Sequence, residues 1–234
     1  MYRIALTGLL GLACAAPVAA DWAGKSELGL VIARGNTDSE TANARIEFLY
    51  EAQRWHNESI VRGVRASDSG ETTASRYVFS NKTDYDFSER SYAWGALRYD
   101  RDRFSSFKHQ ASAAVGFGRH LIENERHSLV GEIGPGFRYS EHRATGESEN
   151  ETMLRGYLKY DWAISETAEL VNRLLVETAS ENTFAENELS LSVAINSRLA
   201  LKAGLAVRHN TDVDPGRENT DTLTTVNLVY NFTD

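Results

Sequence analysis

Cysteine is nearly absent: the sequence of 234 residues carries one, Cys14. It lies in the opening segment Met1–Ala20, where one positive charge, Arg3, precedes an apolar run and then small residues. Val18 and Ala20 put small side chains where a signal peptidase needs them. The segment therefore reads as a secretory signal cut between Ala20 and Asp21, leaving residues 21–234 as one domain. A lipoprotein site at Cys14 is the competing reading; Gly11, in place of leucine three residues earlier, and the short apolar run count against it. With the signal removed no disulfide can form, so an exported chain must gain its stability by other means. Past Ala20 no run reaches the roughly 18 apolar residues of a membrane helix. A β-barrel escapes that test, because its lipid face uses only every second residue. The chain also lacks a basic patch for nucleic acid, a Gly-x-Ser-x-Gly elbow, zinc-ligand spacing and calcium-loop spacing. No cofactor, metal or enzymatic activity is expected.

What is present is a period of two. Ala42, Ala44, Ile46, Phe48, Tyr50 and Ala52 alternate with Asn43, Arg45, Glu47, Leu49, Glu51 and Gln53. Successive strand side chains point to opposite faces, so the segment has an apolar and a charged side. It runs about fifteen residues, whereas soluble strands average about 5–6 and a tilted membrane strand needs about 9–11. The pattern recurs in Ser75–Phe87, Ser128–Ser140 and Thr152–Ile164, in the stripes Leu189–Ile195 and Leu199–Val207, and in Val226–Phe232. Weaker candidates are Lys25–Arg34, Glu58–Asp68, Ser91–Arg101, Phe107–Leu121 and Ala168–Ser180. The outward face of Glu58–Asp68 and of Ser91–Arg101 stays open, because Arg62 and Arg65, or Trp94 and Leu97, pull opposite ways. Seven clear and five weaker segments give about 12 strands.

Short connections (at 56–57, 88–90, 123–126, 165–167 and 196–197) interleave with longer ones (35–39, 69–73, 102–106, 143–150, 181–187 and 212–220). That arithmetic predicts an all-β, transmembrane antiparallel β-barrel with short periplasmic turns and longer acidic extracellular loops. Glu151, Glu181, Glu186, Asp212 and Asp214 are assigned to or beside those loops. Aromatics gather at strand ends, as two interfacial girdles require: Trp55, Phe87, Tyr92, Trp162, Tyr230 and Phe232 at the short-turn ends, and Tyr77, Phe79, Phe104, Phe107 and Tyr139 at the other.

Four stretches carry a family resemblance: Ser26–Asp38 with its Gly35-Asn36-Thr37 turn, Tyr99–Phe104, Gly116–Gly118 and Gly131–Gly136. They resemble the salt-induced, YdiY-like outer membrane proteins, a family defined by a domain of unknown function. The resemblance spans the whole mature chain. It implies the outer membrane of a Gram-negative bacterium and a link to salt or envelope stress, with no known chemistry. On the residues themselves, Gly35 and Asn36 suit a tight turn. Gly131, Gly134 and Gly136 are read as kinking a strand or admitting a bulky neighbour inside the barrel.

The charged faces would then line a lumen: Arg45, Glu47, Glu51, Arg76, Lys82, Asp84, Asp86, Glu132, Arg138, Arg155, Lys159, Asp161, Arg173, Glu177, Lys202 and Arg208. Charges so dense cannot face lipid, where an Arg or Lys at the midplane costs about 2–4 kcal/mol. They either pair and plug the barrel or line a narrow diffusion channel, and the mixed signs set no ion preference. Expected partners are outer-membrane lipid and lipopolysaccharide. The barrel-assembly machinery is expected to read the C-terminal strand ending at Phe232. The alternative function is a surface hydrolase built on His209 with Asp212 and Asp214.

Overall fold

The computed structural model describes residues 21–33 and 39–232. The signal segment 1–20 and the Gly35-Asn36 turn lie outside the described residues. Twelve strands follow one another: β1 (Asp21–Ala33), β2 (Ser39–Ala52), β3 (Trp55–Asp68), β4 (Glu71–Ser88), β5 (Ser91–Asp102), β6 (Phe107–Glu123), β7 (His127–His142), β8 (Ser148–Ala163), β9 (Ala168–Thr178), β10 (Thr183–Ala194), β11 (Leu199–Asn210) and β12 (Thr220–Asn231). Each pairs antiparallel with the next and β12 returns to β1, closing a barrel. Closure matters physically because an open edge leaves a row of unsatisfied backbone groups, which hydrocarbon cannot solvate. The closing seam is short. Four residue pairs, from Lys25↔Asn231 to Leu28↔Leu228, join β1 to β12, against thirteen between β1 and β2.

The alternation fixes what faces where. Leu28, Ile46, Phe79, Val115, Ile133, Phe137, Leu154, Leu201 and Leu228 are all exposed on the outer surface. That pattern is wrong for a soluble fold and right for a lipid-facing one. At the short-turn end Trp22 packs at a tilt against Tyr50 at 4.6 Å and Trp55 against Tyr85 at 4.8 Å, and Tyr230 meets Phe232 edge-on at 5.6 Å. Two aromatics expected in the girdles face inward instead. Tyr92 is buried and hydrogen-bonded to Glu132, and Phe107 is buried against His142. The two open segments resolve: Arg62 and Trp94 point inward, while Arg65, Val61 and Leu97 point outward.

The expected contrast in loop length is weaker than the sequence implied. β4 starts at Glu71, so Ser69 and Gly70 alone form the turn, both with positive φ (51° and 83°). Such a two-residue turn matches the twist of a tight hairpin. β8 starts at Ser148 and β10 at Thr183, leaving 211–219 as the single long connection among the described residues. Charged residues that read as loop continue the strands, because an inward-facing charge does not interrupt a barrel ladder.

Inside the barrel, Tyr92, Trp94, Ala96, Ala114 and Met153 form an apolar cluster beside β6 and β7. Glycines make the room. A Cβ on Gly118 would lie 2.3 Å from the Tyr92 ring, and one on Gly116 would lie 2.6 Å from Trp94. Gly134 has a backbone role: its Cβ would fall 2.0 Å from the carbonyl oxygen of Val115. Gly131 faces outward, its Cβ position 3.1 Å from Leu121.

Candidate functional site: the charged lumen

The rest of the lumen is filled by ion pairs. Buried charges persist only when paired and hydrogen-bonded, and here the pairs form in tiers. Toward the short turns, Glu47 takes Lys25 at 2.8 Å and Arg45 at 2.9 Å, and Glu27 takes Lys202 at 2.7 Å. Beside them Lys82 bridges Glu132 and lies 3.1 Å from Asp84. At the rim, Asp86 meets His56 at 2.8 Å, Lys159 meets Asp161 at 3.3 Å, and Glu51 is exposed.

The middle tier is organised by Glu186 of β10. It accepts from Arg62 of β3, from Arg76 of β4 at 3.2 Å and from Arg98 of β5 at 3.2 Å, and lies 3.8 Å from Arg208 of β11. In a ring of twelve strands, β4 and β10 are opposite one another. The Arg76–Glu186 pair therefore crosses the lumen. Arg208 of β11 reaches Asp102 of β5 at 3.2 Å, again six strands away. Arg62 also bridges Glu188, and Asp100 takes Arg76 and Arg98.

Near the other end, Arg138 pairs with Glu151 at 3.0 Å and Arg155 with Glu177 at 3.0 Å. The long connection folds over this end. The Asp214 N–H donates to Ser106 Oγ at 2.8 Å, and the Asp212 N–H to Asn182 Oδ1 at 3.1 Å.

Little space is left. Two cavities of about 90 and 110 Å³ share Arg45, Arg62, Arg173, Glu186 and Glu188 in their walls. A larger vestibule of about 370 Å³ sits toward the short turns, bounded by Lys25, Ser165, Thr167 and Arg173.

The sixteen charged residues singled out from the sequence all lie on strands, at inward-facing positions of the alternation. The structure brings most of them into the pairs just described. Arg173 is the exception, with no ion pair or hydrogen bond among the described residues. The central acids, Glu186, Glu188, Asp100 and Glu27, are missing from that set. Glu186 is buried on β10 rather than carried on a surface loop, which corrects its loop assignment; Glu151, beside the 143–150 stretch, is buried on β8. One signal is available: Phe184, Glu186 and Glu188 keep the inward parity of β10 for five residues beyond Leu189, where the leucine stripe stops.

His209 does not join an acid cluster. It sits on β11 with its ring Nδ1 2.9 Å from Thr220 Oγ1. Among the described residues no group of three or more His, Cys, Asp or Glu is arranged to hold a metal ion.

Known proteins share this architecture. An outer membrane channel from Pseudomonas putida F1 superposes with a TM-score of 0.53 at 11% identity, covering 93% of this chain and 96% of that one. The NanC porin superposes with a TM-score of 0.52 at 8% identity, covering 90% and 98%. At such identities the likeness is one of fold. In sequence, the uncharacterized protein YdiY of Escherichia coli (strain K12) is 26% identical over 217 residues, covering 89% of this chain and 82% of that protein. The family described as "Protein of unknown function, DUF481" matches residues 26–232. The resemblance drawn from the glycine-bearing stretches is thus borne out, and the chain belongs to that family.

Proposed function

We propose that this protein is an outer-membrane barrel of a Gram-negative bacterium that is closed to solutes at rest, its lumen locked by its own ion pairs. Transport, if the barrel is switched, is that of a narrow channel. One observation carries the reading: the Arg76–Glu186 and Arg208–Asp102 pairs span opposite walls. An open pore lines its walls with charge; here the charges meet across the axis.

The test is conductance in planar bilayers. Wild type should give a flat baseline, and the double variant Arg62→Ala/Glu186→Ala should give discrete steps. Frequent resting steps from wild type would overturn the closed reading. The proposal extends to a role in salt or envelope stress; a deletion strain that grows as its parent does in high salt and under detergent challenge would remove that role.

A further inference from the structure

Arg173 is the one lumen arginine with no ion pair or hydrogen bond among the described residues, its charge reaching Glu47 only at longer range, and its position explains why. On β9 it stands in register with Glu188 of β10 on one side and Lys159 of β8 on the other. Glu188 is its natural counter-charge, but Glu188 is taken by Arg62 from across the lumen, with Arg45 at 3.5 Å. Lys159 is of like sign and is held by Asp161. The half-buried Arg173 guanidinium is left facing space. It lines both mid-lumen cavities and the vestibule, so it stands where all three meet.

The cavity next to it is suited to an anion. The walls of the 90 Å³ cavity carry six Arg or Lys against three Glu, a formal excess of three positive charges in a chain whose net charge is −8. A second donor is idle there: Arg155 is buried, its Nη1 is on Glu177, and its Nε has no partner. A planar guanidinium fork matches the paired oxygens of an oxyanion. A water needs roughly 10–15 Å³ of such space, so the cavity has room for a phosphate-sized ion with some of its hydration. One acid, Glu58, lines the same cavity with no ion pair or hydrogen bond among the described residues, its charge felt by Arg45 at longer range.

We infer that the lumen holds a small tetrahedral oxyanion, of the phosphate or sulfate class, received from the vestibule by Arg173 with the Arg155 Nε–H beside it. This deepens the closed-lumen reading by naming what the cavity takes; it rests on that reading only in requiring a cavity rather than a wide pore.

Inorganic phosphate is the probe, added to the folded barrel in a phosphate-free sugar detergent and followed by the ³¹P linewidth. Wild type should broaden the signal saturably at millimolar phosphate, and sulfate should reverse the effect. Arg173→Gln should weaken binding at least tenfold, and Arg173→Lys, which keeps the charge without the fork, several-fold. Glu58→Gln should tighten it several-fold. Unheated gel mobility would establish that each variant is folded. No saturation in wild type, or Arg173→Gln matching wild type, would overturn the inference. Loss of binding in Glu58→Gln would do so as well, since the acid would then organise the site. Binding does not depend on conduction, so the outcomes separate. A conducting barrel that still binds phosphate through Arg173 sinks only the closed-lumen reading. A silent barrel that binds none sinks only the oxyanion site.

Discussion

Replacing Glu186 by glutamine keeps the side chain's shape and removes the charge that Arg62, Arg76 and Arg98 all reach. Breaking a buried ion pair by removing one partner costs about 3–5 kcal/mol, because the other charge is left uncompensated. Here each arginine keeps a second acid: Glu188 for Arg62, and Asp100 for Arg76 and Arg98. The expected loss is therefore at the lower end, about 3 kcal/mol. Salt should not mimic the substitution, since buried pairs are screened far less than exposed ones. The assay is equilibrium unfolding in urea of the barrel refolded into lipid vesicles. It is read both by the gel mobility of unheated samples and by tryptophan fluorescence, for which the buried Trp94 is a reporter. The midpoint should fall with the slope unchanged, the mark of altered stability rather than altered compactness. Glu125→Gln, at an exposed turn position, is the control and should stay within about 0.5 kcal/mol of wild type. If Glu186→Gln matched that control, the claim that this carboxylate organises the middle of the lumen would be wrong.

Other outcomes follow from the same physics. Gly134→Val should abolish assembly, since even its Cβ would overlap the Val115 carbonyl, whereas Gly156→Ala meets nothing within 4 Å and should assemble normally; the yield of the heat-modifiable band separates them. Tyr92→Phe removes the hydroxyl that donates to the buried Glu132 at 2.8 Å, and should cost about 1–3 kcal/mol in the urea assay. Ile133→Arg puts a cation on the lipid face near the middle of β7 and should cost about 2–4 kcal/mol, while the same change at exposed Glu125 should cost almost nothing.

The barrel was legible in the sequence because its signal is long and periodic. Ile46, Phe48 and Tyr50 against Arg45, Glu47 and Glu51 leave no other way to hide one face and wet the other. The lumen was legible only where charge fell inside an obvious stripe. Glu186 was missed because Glu181, Asn182, Glu186 and Asn187 together look like a polar loop, although the hydrogen-bonded ladder through Glu186↔Arg208 and Glu186↔Leu175 runs straight through them. Position alone assigns Tyr92 to the interface; the bare faces of Gly118 and Gly116, which leave room for Tyr92 and Trp94 inside, lie on a neighbouring strand some two dozen residues away. The partner of each charge was unreadable for a similar reason. Arg76 and Glu186 are 110 residues apart, and only closure of the ring brings them together.

The seam between β1 and β12 has a mechanical meaning. Every other joint in the ring is a zipper of ten or more rungs, such as the eleven between β11 and β12, but this one is held by the four from Lys25↔Asn231 to Leu28↔Leu228 among the described residues. A hoop parts at its weakest stave. Under lateral tension the cylinder should split there before anywhere else, and during insertion that joint, uniting the two ends of the chain, should be the last to snap shut.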